Sequence, residues 1–319
     1  MNRLIILAGL TILLLSGAES PGQESSTKIT PLFDLRVRQE VLDGVLFFTP
    51  DQDRQWLRFR TRAGLKIDSD EYSFTFRLAN EHRRLQIPDT EFDWDELIID
   101  QAFFTWKPNG NTRLTFGRQN IIWDDGFLVL EGHPLDGSRS IYMDGIRVQT
   151  PINCEMLDAF LVRNRKYDPV VLAGDEDGAL ADTDEIGIGA KITLGQHRLA
   201  AIWKRDDDPD NVLPVVNTYT LDGRFFWGLK DATSYTFEAA VQYQNGIADG
   251  TAASAPSHGF NLAMEGLVNG HFYGPANADF GFFYYGNNFR TPWGRWPKWS
   301  ELYIYTLLAD GGDGRVHVA

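Results

Sequence analysis

Arg54 to Ile67 reads RQWLRFRTRAGLKI, with Arg58, Arg60 and Arg62 two apart and Leu57, Phe59, Thr61, Ala63, Leu65 and Ile67 in the alternate places. A helical period would scatter those arginines around a cylinder. The period of two in a strand gathers all three, with Lys66, on one face and the apolar set on the other. The stretch predicts a strand with an oily face and a cationic face. One strand leaves open whether the oil meets a protein core or a bilayer, so the rest of the chain has to decide.

The pattern recurs. Tyr72, Phe74, Phe76 and Leu78 alternate with Ser73, Thr75, Arg77 and Ala79; Ile186, Ile188, Ala190, Ile192 and Leu194 alternate with Gly187, Gly189, Lys191 and Thr193. Phe237, Ala239, Val241 and Tyr243 alternate with Thr236, Glu238, Gln242 and Gln244, with Ala240 the one apolar residue on the polar side. No window of similar length keeps a helical period, so the chain reads as all-β, with about fourteen strand candidates of about ten residues, the length a tilted transmembrane strand needs. In Glu96 to Lys107 and Met156 to Lys166 the alternation is blurred, and Arg118 falls on the parity of Leu114 and Phe116.

The connections sort themselves by length. Short turns fall at Asp68 to Glu71, Pro108 to Asn111, Pro151 to Glu155, around Gly195, around Gly228 to Asp231 and at Asn269 to Pro275. Longer polar segments lie between them at 43–53, 85–95, 120–140, 167–182, 206–213, 246–257 and 287–299. A meander whose connections alternate this way has two unlike ends, as in an antiparallel up-and-down outer-membrane barrel with short periplasmic turns and long outer loops. Trp56, Trp106, Trp203, Trp227, Tyr243, Tyr284 and Trp299 stand near strand ends, where an interfacial aromatic girdle belongs.

The first residues fit export. Arg3 opens the chain, Leu4 to Leu15 form an apolar run and Ser16-Gly17-Ala18 a small-residue cleavage site, so residues 1–18 read as a signal peptide. That run is too short for a spanning helix, which needs about 20 residues. Residues 19–31 read as a flexible leader, 32–309 as the barrel and 310–319 as a tail. The single cysteine, Cys154, can form no internal disulfide and is expected to be buried.

Formal charge is −14, which argues against nucleic acid, whose phosphates need clustered cations. The charge is sorted by position: YDPVVLAGDEDGALADTDE (167–185) holds seven acids and no base, while Arg54 to Ile67 holds five bases and no acid. No histidine sits in HExxH spacing, no GxSxG occurs, and Gly187-Ile188-Gly189 lies within a strand, so no enzyme and no catalytic residue is expected. Asp124-Asp125 reads as a solvated loop, since neighbours in a strand point to opposite faces. The acidic loops at Asp175 to Glu185 and Asp206 to Asp210 offer oxygen ligands for calcium but match no calcium-loop template; no metal residue and no other cofactor is assigned.

Arg36, Arg38, Arg58, Arg60, Arg62, Lys66 and Arg77 come from three successive strands and would form a cationic wall, with Arg147 and Lys191 further along the lining. Guanidinium forks suit carboxylates, and many weak sites in series let a polyanion bind and move on. Glu40, Glu81 and Asp100 lie close by, and an ion-pair ladder that only satisfies internal charge is the alternative.

These residues resemble the alginate export family of outer-membrane β-barrels, porin-like proteins related to the alginate exporter. The similarity rests on Arg60-Thr61-Arg62 with Gly64-Leu65, on Asp100-Gln101-Ala102-Phe103, on Gly117-Arg118-Gln119 and on Asp144-Gly145-Ile146-Arg147, and spans about residues 32 to 165. The resemblance implies a monomeric barrel, eighteen-stranded in the exporter, whose arginine-lined lumen passes an anionic polysaccharide. Such a barrel would sit in the outer membrane of a Gram-negative bacterium, with its lipid and the barrel-assembly machinery as partners and anionic oligosaccharide, polysaccharide or small anions as solutes. Against that family the closing strands look absent, because the chain runs from Leu302-Tyr303-Ile304-Tyr305 into a glycine-rich tail. Two other readings stay open: a non-selective or structural barrel, and a secreted soluble β-protein that binds or cleaves glycans.

Overall fold

The computed structural model describes residues 27–42, 54–87, 90–124, 126–131, 142–174, 183–210, 213–228, 234–247, 259–272, 276–285, 289, 291–293 and 316–318. The signal-peptide segment, residues 175–182 of the acidic stretch, Trp299 and the strand expected around Leu302 to Tyr305 lie outside them.

The strands are β1 (Lys28–Leu42), β2 (Arg54–Asp68), β3 (Tyr72–Ile87), β4 (Phe92–Trp106), β5 (Arg113–Gln119), β6 (Ile121–Ile122), β7 (Leu130–Glu131), β8 (Met143–Ile152), β9 (Glu155–Asn164), β10 (Val171–Gly174), β11 (Asp184–Leu194), β12 (His197–Asp207), β13 (Val215–Gly228), β14 (Ser234–Ile247), β15 (Gly259–Phe272), β16 (Ala276–Tyr285) and β17 (Val316–Val318). One 15-stranded antiparallel sheet runs β1-β2-β3-β4-β5-β8-β9-β11-β12-β13-β14-β15-β16-β17, with β10 added on β4. Each long strand pairs with the next, the up-and-down order of a barrel wall. β1 and β17 end the order, and no pairing joins them among the described residues.

The two faces are inverted relative to a water-soluble protein. On β13, Tyr219, Leu221, Phe225 and Trp227 are exposed, Leu221 at 67%, while Thr218, Thr220 and Asp222 between them are buried. On β14 Tyr235, Val241 and Tyr243 are exposed, and Glu238 and Gln242 lie at 0%. β1 turns Ile29, Phe33, Leu35 and Val37 outward and β3 turns Tyr72 and Phe74 outward. Apolar side chains meet the surroundings and charged ones are enclosed, which suits lipid outside and a polar interior.

Connections at one end are short (69–71, 107–112, 153–154, 195–196, 229–233, 273–275) and those at the other end are mostly longer. Three boundaries differ from expectation. β1 begins at Lys28, so residues 28–31 belong to the sheet, and Val316–Val318 of the expected tail pairs with β16. The long segment expected at 85–95 shrinks to 88–91, because Arg83 and Arg84 pair with Asp93 and Phe92 and Leu85 N–H donates to Glu91 O at 2.8 Å. A polar run reads as loop in sequence, yet inside a polar lumen it can be strand.

The blurred alternation of β4 has a cause. Against β3 the register shifts twice, between Arg77/Leu78 and between Glu81/His82, so that Asp100 and Asp95 are the unpaired residues of two bulges. Each bulge flips the parity. In β5, Gly117 has φ +112°, and a Cβ there would lie 2.3 Å from Ala102 O. This backbone, open only to glycine, ends the alternation just before Arg118. Cys154 is exposed rather than buried: it sits with Asn153 (φ 58°) in the two-residue β8–β9 turn, where a residue belongs to neither face.

Candidate functional site

The arginine-bearing strands bring their cations into register. Arg36 faces Arg60 across β1 and β2, Arg38 faces Arg58, and Arg58 in turn faces Arg83 on β3. Arg62 lies opposite Asp34, and Arg60 opposite Glu81. Carboxylates are threaded between them: Arg58 Nε lies 3.2 Å from Glu81 Oε1, Arg60 Nη2 3.3 Å from Asp34 Oδ1, and Arg83 Nε 3.6 Å from Glu81 Oε1. Asp100, thrown inward by its bulge, takes Arg77 Nε at 2.5 Å and Arg62 Nε at 3.7 Å. Arg60 and Arg62 are each only 3% exposed, whereas Arg36, Arg38, Arg77 and Arg83 are partly exposed. Trp56, expected in a girdle, shares the parity of Arg58 and belongs to the arginine face. Arg83 was not singled out from the sequence; it continues the parity of Arg77, Ala79 and Glu81 along β3, and the β2–β3 register sets it opposite Arg58.

The other expected residues lie apart from this group. Lys66 Nζ binds Asp68 at 3.1 Å near the turn, where Lys107 also reaches Asp68 at 2.9 Å. Arg147 grips Asp158 with two bonds, 2.8 and 2.5 Å, and Gln149 adds a third at 3.4 Å. Gln101 stands opposite Arg77. Gln119 is buried, its Nε2 donating to Gly117 O and Gly145 O at 3.4 and 3.5 Å.

Arg118 forms a clamp. It holds Asp144 through Nε (2.8 Å) and Nη2 (2.7 Å), Asp168 through Nη1 (3.1 Å) and Nη2 (2.9 Å), and Ile99 O through Nη1 (3.0 Å), with the Tyr142 ring 3.7 Å below. Tyr142 O–H also donates to Asp168. This clamp secures a change of partner along the β4 edge. β5 pairs with β4 only over Ala102 to Trp106, and β10, which follows Asp168, takes over that edge at Glu96 to Ile98. Without β10, the wall would show unpaired backbone there.

Beyond Gln119 the chain leaves the wall and turns inward. Ile121, Trp123, Phe127, Leu128 and Val129 are buried with Phe289 and Trp293 against Met143, Phe160, Val162, Ala200, Ile202, Ala240 and Ala263 of the enclosed face. Ala240, the apolar exception in β14, is thus a contact for this inner loop. Asp124 (φ 52°) ties the loop to the wall by Arg198 Nη1 at 2.5 Å and Lys191 Nζ at 3.6 Å. Arg198 also donates to Asp222 and Glu238, and Arg224 Nη1 reaches Glu238 at 2.9 Å. Lys191 lies 5.6 Å above Trp123. Asp124 is therefore a paired anchor, not half of an acid dyad; Asp125 lies outside the described residues.

At the loop end Lys166 Nζ binds Asp208 and Asp210, both at 2.8 Å, and Tyr167 O–H donates to Asp210 at 2.9 Å. The Asp208 and Asp210 hydrogen bonds raise Lys166 above its ordinary value; the Lys166 and Tyr167 bonds hold Asp210 below the usual carboxylate range. Asp208 also accepts from Asp210 N–H (3.1 Å) and Leu213 N–H (3.0 Å). Among the described residues no group of three His, Cys, Asp or Glu is arranged to hold a metal, and the acids at 206–210 are committed to lysine, arginine, threonine and backbone partners.

No family model and no curated protein matches the chain. Among solved structures, OccAB1 of Acinetobacter baumannii aligns over 86% of this chain and 71% of its own, at 14% identity and a TM-score of 0.47. Pseudomonas aeruginosa OccK9 (OpdG) aligns over 81% and 67%, at 11% identity and 0.44, and a mutant of the Rh. blastica porin over 81% and 90%, at 14% and 0.30.

Proposed function

We propose that the protein is an outer-membrane channel that passes anionic solutes along its arginine face. The inverted polarity of the sheet supports the membrane setting: large apolar side chains from Ile29 to Leu262 stand outward while Glu238, Asp222 and Arg198 are enclosed. In lipid this arrangement satisfies both faces; in water it would expose a continuous apolar surface.

The anion preference rests on one observation above all, the register that sets Arg36 against Arg60 and Arg38 against Arg58. Like charges directly opposite each other destabilise a sheet. Among the described side chains, seven arginines (36, 38, 58, 60, 62, 77, 83) share this face with Asp34, Glu81, Glu96 and Asp100, and Arg36 and Arg38 are partly exposed. Carboxylates of a solute suit the guanidinium forks, and the resemblance to the alginate export family makes a uronate-rich oligosaccharide or polysaccharide the leading candidate.

The second reading is a channel without selectivity. It is favoured by Asp100 between Arg62 and Arg77 and Glu81 between Arg58 and Arg83, since buried pairs of this kind satisfy themselves. Purified protein in planar bilayers separates the two. The anion reading expects a reversal potential favouring chloride over potassium at low salt, and block by oligouronate but not by a neutral oligosaccharide of equal length. Equal permeability with no block would leave the non-selective reading; a protein that stays soluble without detergent would remove both.

A further inference from the structure

We propose that the outward face of β9, β11 and β12, at the end of the wall with the longer connections, is a binding site for the phosphate of a membrane lipid, held by Arg163 and Arg205; this rests on the membrane setting above and not on the anion preference.

The outward cations gather at one end. Among the described residues three strand cations have outward parity, Arg84 on β3, Arg163 on β9 and Arg205 on β12, and each is within three residues of the end of its strand on the side of the longer connections. Arg84 shares its parity with Tyr72, Phe74 and His82, whose ring stacks on Phe59 at 4.6 Å. It stands opposite Leu57 and Phe92, exposed and without an ion pair among the described residues. At the short-turn end the outward places belong to Tyr72, Leu194, Trp227 and Tyr235. A cation on the lipid face costs little near either interface, so access to water alone does not account for the one-sided placement. An anionic headgroup layer on that side does.

Arg163 and Arg205 belong to one row. Ile186 on β11 faces Arg163 on one side and Arg205 on the other, so the two arginines are two strand spacings, about 10 Å, apart. Two long side chains can lean to one headgroup across that span. Asn217 continues the row opposite Arg205, and Asn245 stands opposite Asn217. Two residues nearer the middle of the wall lie Leu161, Ile188, Trp203, Tyr219 and Tyr243, again in register, the two tyrosine rings 6.3 Å apart. An apolar and aromatic row suits the upper acyl chain, and the polar row above it suits the phosphate. Arg163 Nη2 is 3.7 Å from Asp184 Oδ2 and Arg205 Nη2 is 2.9 Å from Asp207 Oδ2, with the arginine side chains 62% and 42% exposed. Pairs this exposed are weak, so a phosphate competes well for guanidinium forks that match it in geometry. Asp184 and Asp207 face each other two residues further out, which leaves the arginines between the acids and the apolar row. Arg165, two residues after Arg163 and exposed, adds a third guanidinium to this rim.

Native mass spectrometry of the full chain, released from dodecyl maltoside micelles titrated with dimyristoyl phosphatidic acid or dimyristoyl phosphatidylcholine, tests this by counting bound lipid. The unmodified protein is expected to retain phosphatidic acid in preference to phosphatidylcholine. Arg163→Gln and Arg205→Gln should each weaken phosphatidic acid binding about fivefold, and the double variant about thirtyfold. Arg163→Lys/Arg205→Lys, which keeps the charge and loses the forks, should fall between the double Gln variant and the unmodified protein. Arg36→Gln/Arg38→Gln, on the enclosed face, should bind as the unmodified protein does; an equal loss there would put the lipid inside the wall and overturn the proposal. Equal retention of the two lipids overturns it, and so does unchanged binding in the double Gln variant. Displacement of the lipid by inorganic phosphate at equal concentration would show a free-phosphate site and overturn it too. Failure of the Gln variants to assemble would make the two arginines fold residues, with the same result. An unmodified protein that stays soluble without detergent removes the membrane setting and this inference with it, whereas unselective conductance in planar bilayers counts against the anion preference alone.

Discussion

Replacing Leu199 by arginine tests the assignment of faces. Leu199 is on the outward face of β12, 47% exposed, opposite Ile192 and Gly223. On β13 the outward rings Tyr219 and Trp227 are eight positions apart, about 27 Å along the strand at about 3.4 Å per residue. With a tilt of about 40° that is about 20 Å along the membrane normal, close to the height of the apolar band of such barrels. Gly223 is halfway between the two rings, so Leu199 beside it is about 10 Å from either interface and an arginine there must reach far for water. The expected cost is about 2–4 kcal/mol, or about 30- to 700-fold in the folding equilibrium. Leu199→Ala as reference separates the charge from the lost side chain. The assay is reversible urea unfolding from phospholipid vesicles, with electrophoretic mobility before and after heating as the measure of folded barrel. Equal stability of the Arg and Ala variants, or a Leu199→Arg protein soluble without detergent, would refute a lipid-facing Leu199.

Three other outcomes are expected from arginine replacements, and a fourth from pH. Arg36→Gln/Arg38→Gln should assemble normally and shift reversal potential towards cations, most strongly at low salt where the screening length is about 30 Å at 0.01 M. Arg62→Gln, by contrast, alters a 3% exposed arginine paired with buried Asp100 and should cost about 3 kcal/mol in the urea assay. Arg118→Gln leaves buried Asp168 without its main cation and should make residues 165–174 cleavable by added protease while the rest of the barrel stays resistant. The Lys166–Asp210 bridge should impose a pH window on that same cleavage. Asp210 is depressed, so its contribution is full above the ordinary carboxylate value of about 3.9 and fades as pH falls through its lower folded value. Lys166 is raised, so its contribution is full below about 10.4 and fades as pH climbs through its higher one. Protection should be flat from about pH 5 to 9 and drop on both sides, and Lys166→Met should abolish the dependence.

Alternation in RQWLRFRTRAGLKI determined the two faces of β2, and its recurrence determined the up-and-down order, because in a strand parity along the chain is position in space. Turn lengths likewise distinguished the two ends of the sheet. Hidden in the sequence were the places where parity breaks: the bulges at Asp95 and Asp100 and the positive φ at Gly117, which depend on pairing partners far along the chain. They deliver Asp100 to Arg62 and Arg77 and lead Arg118 to Asp168, fifty residues later. The inner loop was legible only as a long polar connection, since its apolar residues gain meaning from the wall they meet. Gly187 and Gly189 read from sequence only as residues within a strand; the rings of Trp293 and Phe160 that lie against them come from elsewhere in the chain. Which arginines are buried and which are partly exposed was decided by the tertiary structure alone, because that depends on cross-strand register and not on the presence of charge.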